Sequence, residues 1–531
     1  RSLALRGGDA PRRRVDQRLS PAEQRRELGR FLGASGPADA HIAAIMRVYQ
    51  AQLEAVVRYE PGPSDLAVTL LKAEGGFPQV LFDDRHIALR LDDPANGWDD
   101  VELGRLEVIT VPGNHFTAFA PPALTSLAAA IADCIAKIPA PRPPVQARVE
   151  TSIHLNPMDP DFLQDPYPFY HLLRDLAPVY RDDALDGWVL TRHAEVSALL
   201  RDPSVIRPST ATLLTRLPAE TLADLQPFVD WLDASLPFSN HGRHDRMRQL
   251  IAGRFTARAM EALRSDVEKA VAELLDAIDR PGPVEFMSEV AYPLPGRVVM
   301  DLVGVPRCDQ PQVAEWGRAV MAVLGQAQFG EDPVATAYRA QAAAHELTSY
   351  VGGMVADDDM VTTIISVINA GLETTAHHIG NSVLALLRHP DQYALLRDDP
   401  SIARTAAEEL LRYDSPAPII TPQQVTVDLE LGGKRIAAGE LMFPVLGAAN
   451  RDPGRYPDPD RLDLRRPDAA GHLTFGAGAH YCLGAALARI EGQVLFPALA
   501  ARFPALRLAE EPVFRPDPAL RGLDRLTLLV T

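Results

Sequence analysis

A single cysteine in a glycine-rich loop is the residue of this sequence with the clearest chemical potential. Cys482 lies in FGAGAHYCLG, residues 475–484, where Gly476, Gly478 and Gly484 allow the backbone to approach a partner closely. A segment that predicts a helix follows at once, and the positive end of a helix lowers the pKa of a nearby thiol. The pattern therefore predicts a thiolate at Cys482.

Most unpaired cysteines are small buried apolar side chains, and this is the simplest alternative. A zinc site is disfavoured because no second cysteine or histidine lies at zinc-ligand spacing. A lone thiolate in such a loop suits the axial position of a haem iron, where it favours O–O cleavage. The three cysteines, Cys134, Cys308 and Cys482, are too few for a disulfide framework and indicate a reducing, cytoplasmic environment.

A second candidate is the acid–alcohol pair Glu373–Thr374 inside a long apolar segment. Residues 358–389 predict one helix, and about thirty residues at ~1.5 Å each span roughly 45 Å. The small residues Ala370 and Gly371 leave room for a flat ring and dioxygen beside the helix. The pair could relay protons there. Alternatively, Glu373 is a structural ion-pair partner, because a carboxylate in an apolar helix is costly unless paired or hydrated.

Residues 153–531 as a whole resemble the cytochrome P-450 family of the bacterial soluble type. FGAGAHYCLG resembles its haem-binding signature, and AGLETT (370–375) resembles its oxygen-activation motif. EELLR (408–412) resembles its Glu-x-x-Arg pair, and ANRDPGRYPDPDRLDLRR (449–466) resembles the meander before the haem loop. These four motifs occur in the family's order and spacing.

The resemblance implies a mainly α fold, haem b as cofactor and Cys482 as the proximal iron ligand. It implies that Thr374 donates a hydrogen bond to dioxygen while Glu373 helps to supply protons. It also implies a buried structural cluster of Glu409, Arg412 and Arg466 behind the haem, without a catalytic role.

Further cofactor contacts follow from the same resemblance. HDRMR (244–248) resembles a segment that holds a haem propionate, so His244, Arg248 and His480 are the expected propionate ligands. The family usually has an arginine on the strand after the Glu-x-x-Arg helix, whereas this sequence has Gln423. The remaining expected haem contacts are Ala370, Gly371, Phe475, Gly476 and Gly484. Position alone places Ile419 and Ile420 at the substrate pocket.

Four prolines between positions 139 and 144 mark a spacer, which predicts a linker over 137–152. Residues 1–136 mix two strand-like runs, 65–76 and 105–115, with helical segments at 40–59 and 123–138, which is typical of an α/β domain. The end of this region resembles the C-terminal part of a polyketide-synthase or peptide-synthetase thioesterase, an α/β-hydrolase.

The thioesterase resemblance assigns His115 as a general base, with Glu74 or Asp83 as a candidate acid. No serine in the chain has glycine at both the −2 and +2 positions, so the nucleophile elbow is absent. The resemblance therefore predicts a partial thioesterase domain that has no activity without upstream sequence.

Together these features predict the C-terminal part of a biosynthetic megaenzyme with a haem-thiolate monooxygenase. It would hydroxylate or epoxidise a polyketide or nonribosomal peptide, free or bound to an acyl or peptidyl carrier protein. Electrons would come from NAD(P)H through a ferredoxin and its reductase.

Other classes of function are less well supported. The alternatives left open are a haem-containing docking module without oxygenase activity and a release function that depends on upstream thioesterase sequence. The net charge of −17 argues against a nucleic-acid partner, and the polar residues within 358–389 argue against a membrane span.

Overall fold

The computed structural model describes residues 158–530 except positions 184, 331 and 518, together with four strands in the first 150 residues. The chain divides into two compact units, Arg1–Glu150 and Thr151–Thr531. The predicted linker, 137–152, lies outside the described residues, and each unit is considered by itself.

The first unit contains two pairs of strands. Leu3–Leu5 and Arg13–Val15 pair in antiparallel, whereas Ser64–Ala73 and Leu103–Val111 pair in parallel. The longer pair coincides with the two predicted strands, and a parallel pair is typical of α/β domains. The predicted helices and the residues assigned by the thioesterase resemblance lie outside the described residues; these are 40–59, 123–138, Glu74, Asp83 and His115.

The second unit is mainly helical, as predicted. Its α-helices are Pro160–Gln164, Tyr167–Leu176, His193–Leu199, Ala219–Asp224, Gln226–Asp233, His241–Ala252, Ala257–Ala262, Arg264–Ile278, Pro293–Val303, Gln310–Met321, Gln326–Phe329, Pro333–Gly352, Asp358–Arg388, Pro390–Asp398, Ala403–Tyr413, Leu446–Asn450 and Ala485–Arg502. Short 3-10 turns are Thr210–Leu213, Gly253–Phe255, Ala322–Leu324, Pro400–Ile402, Ala469–Gly471 and Gly478–His480, and Met287–Ala291 is a π-helical turn.

The helix Asp358–Arg388 is the central helix of this unit and matches the predicted segment. It begins at a side-chain cap, because the Asp357 carboxylate accepts a hydrogen bond from the Met360 N–H at 2.8 Å. Buried residues lie on every side of it between Val361 and Leu386, as expected for a helix that is apolar around its circumference. It therefore forms the axis around which the core is packed.

Small sheets flank the helices. The largest has five strands in the order Val179–Asp182, Gly187–Leu190, Leu441–Pro444, Gln423–Val425 and Val205–Ile206. A three-stranded sheet has the order Arg507–Leu508, Thr527–Val530 and Gly282–Glu285, and two hairpins are Leu429–Leu431 with Lys434–Ile436 and Val513–Phe514 with Leu523–Arg525. All neighbours in these sheets are antiparallel except Gly187–Leu190 with Leu441–Pro444.

The hydrophobic core lies on both sides of the central helix. One side packs against Pro293–Val303 and Ala485–Arg502, and the other packs against Gln310–Met321 and Pro333–Gly352. Within the described residues, none of the helices combines the length and the apolarity needed to cross a membrane.

Candidate active site

The cysteine loop is shaped by glycines in conformations that other residues rarely adopt. Gly476 has φ +67° and Gly478 has φ +70°. A Cβ on Gly478 would overlap the backbone carbonyl of Leu200. The loop closes with a hydrogen bond from the Cys482 N–H to the Phe475 carbonyl at 2.9 Å. These constraints fix the position of the Cys482 side chain.

The sequence correctly predicts a helix directly after this loop, since Ala485–Arg502 begins three residues beyond Cys482. The expected lowering of the thiol pKa is wrong for the protein alone. Burial raises the pKa of Cys482, and this outweighs the opposite effects of the Gly484 and Ala485 N–H groups, Arg248 and Arg489. The Cys482 side chain nevertheless opens into a cavity. The N–H groups at the helix end still lower the thiol pKa, but burial has the larger opposite effect.

The cavity separates the cysteine loop from the central helix and has a volume of about 270 Å³. Phe475, Cys482 and Gly484 line it from the loop, and Ala370, Gly371 and Thr374 line it from the helix. Gly476 does not line it and acts through its backbone conformation alone.

On the helix side, small residues and one hydroxyl face the cavity. The Thr374 Oγ1 donates to the Ala370 carbonyl at 2.6 Å. Gly371 has no room for a side chain, because a Cβ there would lie 2.8 Å from a methyl carbon of Val299. The close approach of Pro293–Val303 therefore requires glycine at this position.

Basic side chains form part of the cavity lining. The rings of His244 and His480 lie 4.2 Å apart, and the Arg248 Nη2 donates to the Tyr481 carbonyl at 2.9 Å. His244, Arg248 and His480 all line the cavity. Burial lowers the pKa of His480 to about 3, with further lowering by Arg207, His244 and Arg248. This concentration of basic groups suits the binding of carboxylates.

Glu373 does not line this cavity, unlike its neighbour Thr374. Its carboxylate is buried and accepts a hydrogen bond from the Arg515 Nη1 at 3.0 Å. The geometry thus matches the alternative in which Glu373 is an ion-pair partner, and it does not place the carboxylate beside a ligand in the cavity. Spacing could not reveal this partner, because Arg515 lies 142 residues away.

The sequence model of the family described as Cytochrome P450 matches residues 401–517. Cytochrome P450 monooxygenase PikC of Streptomyces venezuelae is 34% identical over 412 residues, which cover 71% of this chain and 94% of that protein. The chain belongs to the cytochrome P450 family. Members of this family bind haem b through a cysteine thiolate. The family is one of monooxygenases, so the chain is an oxygenase by its family membership.

Two solved P450 structures are similar to this chain over most of its length. P450BioI in complex with an acyl carrier protein ligated to hexadec-9Z-enoic acid has a TM-score of 0.65 and 32% identity over 70% of this chain and 100% of that chain. Cytochrome P450 PksS of the Bacillus subtilis 168 bacillaene polyketide synthase has a TM-score of 0.62 and 27% identity over 71% of this chain and 100% of that chain.

The cavity of this P450 suits a haem by the chemistry of its lining. A thiol faces it from one side, small residues and a hydroxyl face it from the other, and basic groups line it as well. In the described part of the chain, no cluster of three or more histidine, cysteine or acidic residues could hold a metal ion. This lining fits a flat cofactor that carries carboxylates, and Cys482 is the cysteine that faces the cavity from the loop.

Behind the cysteine loop, the P450 unit contains the cluster that the resemblance implied. Arg412 donates two hydrogen bonds to Glu409, Nε to Oε2 at 2.7 Å and Nη2 to Oε1 at 2.8 Å, and both side chains are fully buried. Arg466 Nε donates to the same carboxylate at 3.1 Å. The Arg412 Nη1 also donates to the carbonyls of Asn450 and Pro459. The cluster ties the helix Ala403–Tyr413 to the meander.

A second cavity of about 230 Å³ continues along the central helix and shares Ala370 and Thr374 with the first. Ile419 and Ile420, the residues predicted from position alone to lie at the substrate pocket, line this second cavity. Most of its lining is apolar. This cavity therefore suits an apolar substrate.

Gln423 lines neither cavity, and its Nε2 donates to the Thr421 carbonyl at 2.8 Å. Arg207, which sequence reasoning missed, borders the second cavity instead. Arg207 follows a strand of only two residues, Val205–Ile206, which is too short to produce a recognisable sequence pattern.

Proposed function

We propose that this P450 uses Cys482 as the proximal ligand of haem b and oxidises an apolar biosynthetic intermediate by hydroxylation or epoxidation. One observation carries the proposal. The Cys482 side chain and Thr374 of the central helix line the same cavity from different elements, and His244, Arg248 and His480 line it too. Haem bound there would supply the activation of dioxygen with electrons from a reductase.

The chain's own residues position the reactants. Ala370 and Gly371 keep the helix wall flat, while Phe475, Gly476 and Gly484 shape the loop beneath the cofactor. His244, Arg248 and His480 bind the propionates. The ion-pair cluster of Glu409, Arg412 and Arg466 keeps the helix Ala403–Tyr413 and the meander rigid beside the cysteine loop. The substrate contacts Ile419 and Ile420.

Thr374 is the proton-handling group nearest the reaction. Its hydroxyl donates to the Ala370 carbonyl and can turn to donate into the cavity, which it lines. Glu373 is the second member of the relay. Its carboxylate pairs with Arg515, so it must leave that arginine before it can pass a proton towards Thr374.

The Cys482 assignment is tested by the spectrum of the reduced protein with CO. Wild-type protein should show the red-shifted Soret band of thiolate-ligated haem, and Cys482→Ala should lose it. Cys308→Ala is the matched control, because Cys308 is exposed and does not line the cavity. Retention of the band in Cys482→Ala would overturn the assignment.

For the substrate, we propose a polyketide or nonribosomal peptide, either free or bound to a carrier protein. Support comes from the apolar second cavity and from the polyketide-synthase and carrier-protein settings of the two similar structures. Candidate intermediates would be incubated with the protein, a ferredoxin, its reductase and NAD(P)H. A product heavier by one oxygen is expected, together with NAD(P)H consumption that depends on the substrate. The absence of both would favour the docking-module alternative.

For the first unit, we propose the C-terminal part of a thioesterase-like domain with His115 as general base. The support is the parallel pairing of the two predicted strands. Without a nucleophilic serine, a base does not cleave a thioester at enzymic rates. Thioester hydrolysis is therefore expected only with upstream synthase sequence present, and it should then fall in His115→Ala. Hydrolysis by the 531-residue chain, lost in His115→Ala, would contradict this.

A further inference from the structure

A guanidinium without an anionic partner borders the second cavity. No acidic residue in the described part of the chain forms an ion pair with Arg207, and its Nε is buried without a hydrogen-bond partner. Burial lowers the pKa of this side chain to about 10. An arginine retains its charge even so, and a buried charge is costly unless a counter-charge accompanies it. The site therefore calls for an anion.

The backbone of Arg207 is fixed next to the helix that carries two of the basic cavity residues. The Arg207 N–H donates to the Asn240 Oδ1 at 2.8 Å, and the Asn240 Nδ2 donates back to the Arg207 carbonyl at 2.8 Å. Asn240 is the N-cap of His241–Ala252, the helix of His244 and Arg248. Asn240 thus ties the backbone of Arg207 to the start of the helix that carries His244 and Arg248.

Arg207 lies next to the position where the resemblance expects an arginine and the sequence has glutamine. Val205 pairs with Val425 and Ile206 with Gln424, so Arg207 directly follows the residue that pairs beside Gln423.

The side chain of Arg207 also reaches this neighbouring strand. Its Nη1 donates to the Thr421 Oγ1 at 3.2 Å. Gln423, by contrast, is buried and hydrogen-bonds to the Thr421 carbonyl. A cation is therefore present at this edge of the sheet, but it comes from the adjacent strand.

Arg207 and these basic side chains border connected cavities. The cavity that Arg207 borders shares Ala370 and Thr374 with the cavity that His244, Arg248 and His480 line. Four basic side chains, namely Arg207, His244, Arg248 and His480, therefore converge on one region. The first cavity contains one acidic lining residue, Glu491, and the second contains none among the described residues.

We propose that Arg207 binds a propionate carboxylate of the haem and supplies the cation that position 423 lacks. This rests on the proposed haem site. A guanidinium is suited to this role because its N–H groups can engage both carboxylate oxygens. Since Arg207 also borders the substrate cavity, the other source of a carboxylate is an acidic substrate, and the experiment separates the two.

The test measures haem loss from the holoprotein to an excess of a haem-acceptor protein, together with the midpoint potential of the iron. Arg207→Gln should lose haem roughly tenfold faster, as expected for removal of a charge-assisted hydrogen bond. Its potential should become more negative, because a positive charge beside the reduced haem has been removed. Arg207→Lys should have a haem-loss rate and a potential between those of wild type and Arg207→Gln. Arg435→Gln, which removes an exposed arginine that lines neither cavity, is the matched control and should behave as wild type.

The strand register provides a rescue experiment. In Arg207→Gln/Gln423→Arg, the cation returns from the opposite strand, so haem loss and potential should move back towards wild type. Absence of any rescue, with both variants folded and loaded with haem, would assign Arg207 a merely structural role and overturn the proposal.

A final arm tests the substrate as the carboxylate source. Myristic acid and its methyl ester are titrated against wild type and Arg207→Gln while the Soret band is followed. The proposal predicts the same acid-to-ester preference in both proteins. Loss of that preference with unchanged haem retention would assign Arg207 to substrate and overturn the proposal. A wild-type protein that holds no thiolate-ligated haem would instead overturn the proposed function itself.

Discussion

Two buried glutamates paired with arginine serve different regions of the P450 unit. Glu409 accepts hydrogen bonds from Arg412 and Arg466 and from the Asp463 N–H, so its carboxylate is fully occupied. Glu373 accepts one hydrogen bond from Arg515, beside the helix wall of the cavity. The region around Glu409 is built for rigidity, whereas the region around Glu373 leaves hydrogen-bonding capacity unused.

Unused hydrogen-bonding capacity is also found at two residues that line the second cavity. Near the central helix, Asn369 and Arg207 both have buried polar atoms without partners among the described residues. In the cluster around Glu409, every arginine nitrogen that faces the carboxylate is satisfied. The comparison indicates that substitutions at the first region should alter function and that substitutions at the second should alter stability.

The largest effect is expected for Arg412→Ala. It leaves Glu409 buried with Arg466 as its remaining cation and removes the bonds to three carbonyls, those of Asn450, Pro459 and Arg461. Removing one partner of a buried pair costs about 3–5 kcal/mol, so the urea midpoint of the P450 unit should fall accordingly. Arg412→Lys should be intermediate, because it keeps the charge but loses the bidentate geometry. An unchanged midpoint in Arg412→Ala would show that the cluster does not stabilise the fold.

Acid should weaken the same region through the neighbouring Glu408. Burial opposes its ionisation, but hydrogen bonds from His472 and Arg489 outweigh burial and lower the pKa of Glu408 to about 2, from an ordinary 4.5. A lowered pKa stabilises the fold above pH 4.5, and this contribution disappears as the pH falls towards 2. The difference in unfolding free energy between wild type and Glu408→Gln should therefore shrink across that range. A difference independent of pH would rule out this linkage.

A smaller effect is expected at the helix wall. Gly371→Ala places a Cβ 2.8 Å from a Val299 methyl carbon, and such overpacking costs about 1–3 kcal/mol. Val299→Ala in the same chain should recover part of the loss. Gly352→Ala is the matched control, since a Cβ there meets no atom within 4 Å. Equal thermal midpoints for the two single variants would contradict the packing argument.

The smallest effect on stability, and the clearest effect on function, is expected at Thr374. Thr374→Ala removes one intrahelical hydrogen bond but introduces a better helix former, so the unfolding free energy should change by less than about 1 kcal/mol. It should still consume NAD(P)H but release severalfold more peroxide per product. Glu373→Gln should uncouple less, because it acts through Thr374. Equal or greater uncoupling in Glu373→Gln would reverse this order of the two residues.

What the sequence predicted correctly depends on local spacing. The central helix follows from a long apolar run with an acidic start, and the pairing of Glu409 with Arg412 follows from their separation by one helical turn. The failures involve distance along the chain. Arg515 reaches Glu373 across 142 residues, and Arg207 follows a two-residue strand that exists only through its partner. The pKa of Cys482 was predicted in the wrong direction because burial becomes visible only after packing.

The three-stranded sheet at the edge of the core has a consequence for biosynthesis. Its strands Gly282–Glu285 and Thr527–Val530 pair across more than two hundred residues. A ribosome adds roughly 5–20 residues per second. The first strand is therefore synthesised on the order of ten seconds or more before its partner. During that interval the central helix and the cysteine loop are already synthesised. Closure of this sheet is therefore a late event, and a nascent chain keeps one unpaired strand edge as a target for chaperones until translation has passed residue 530.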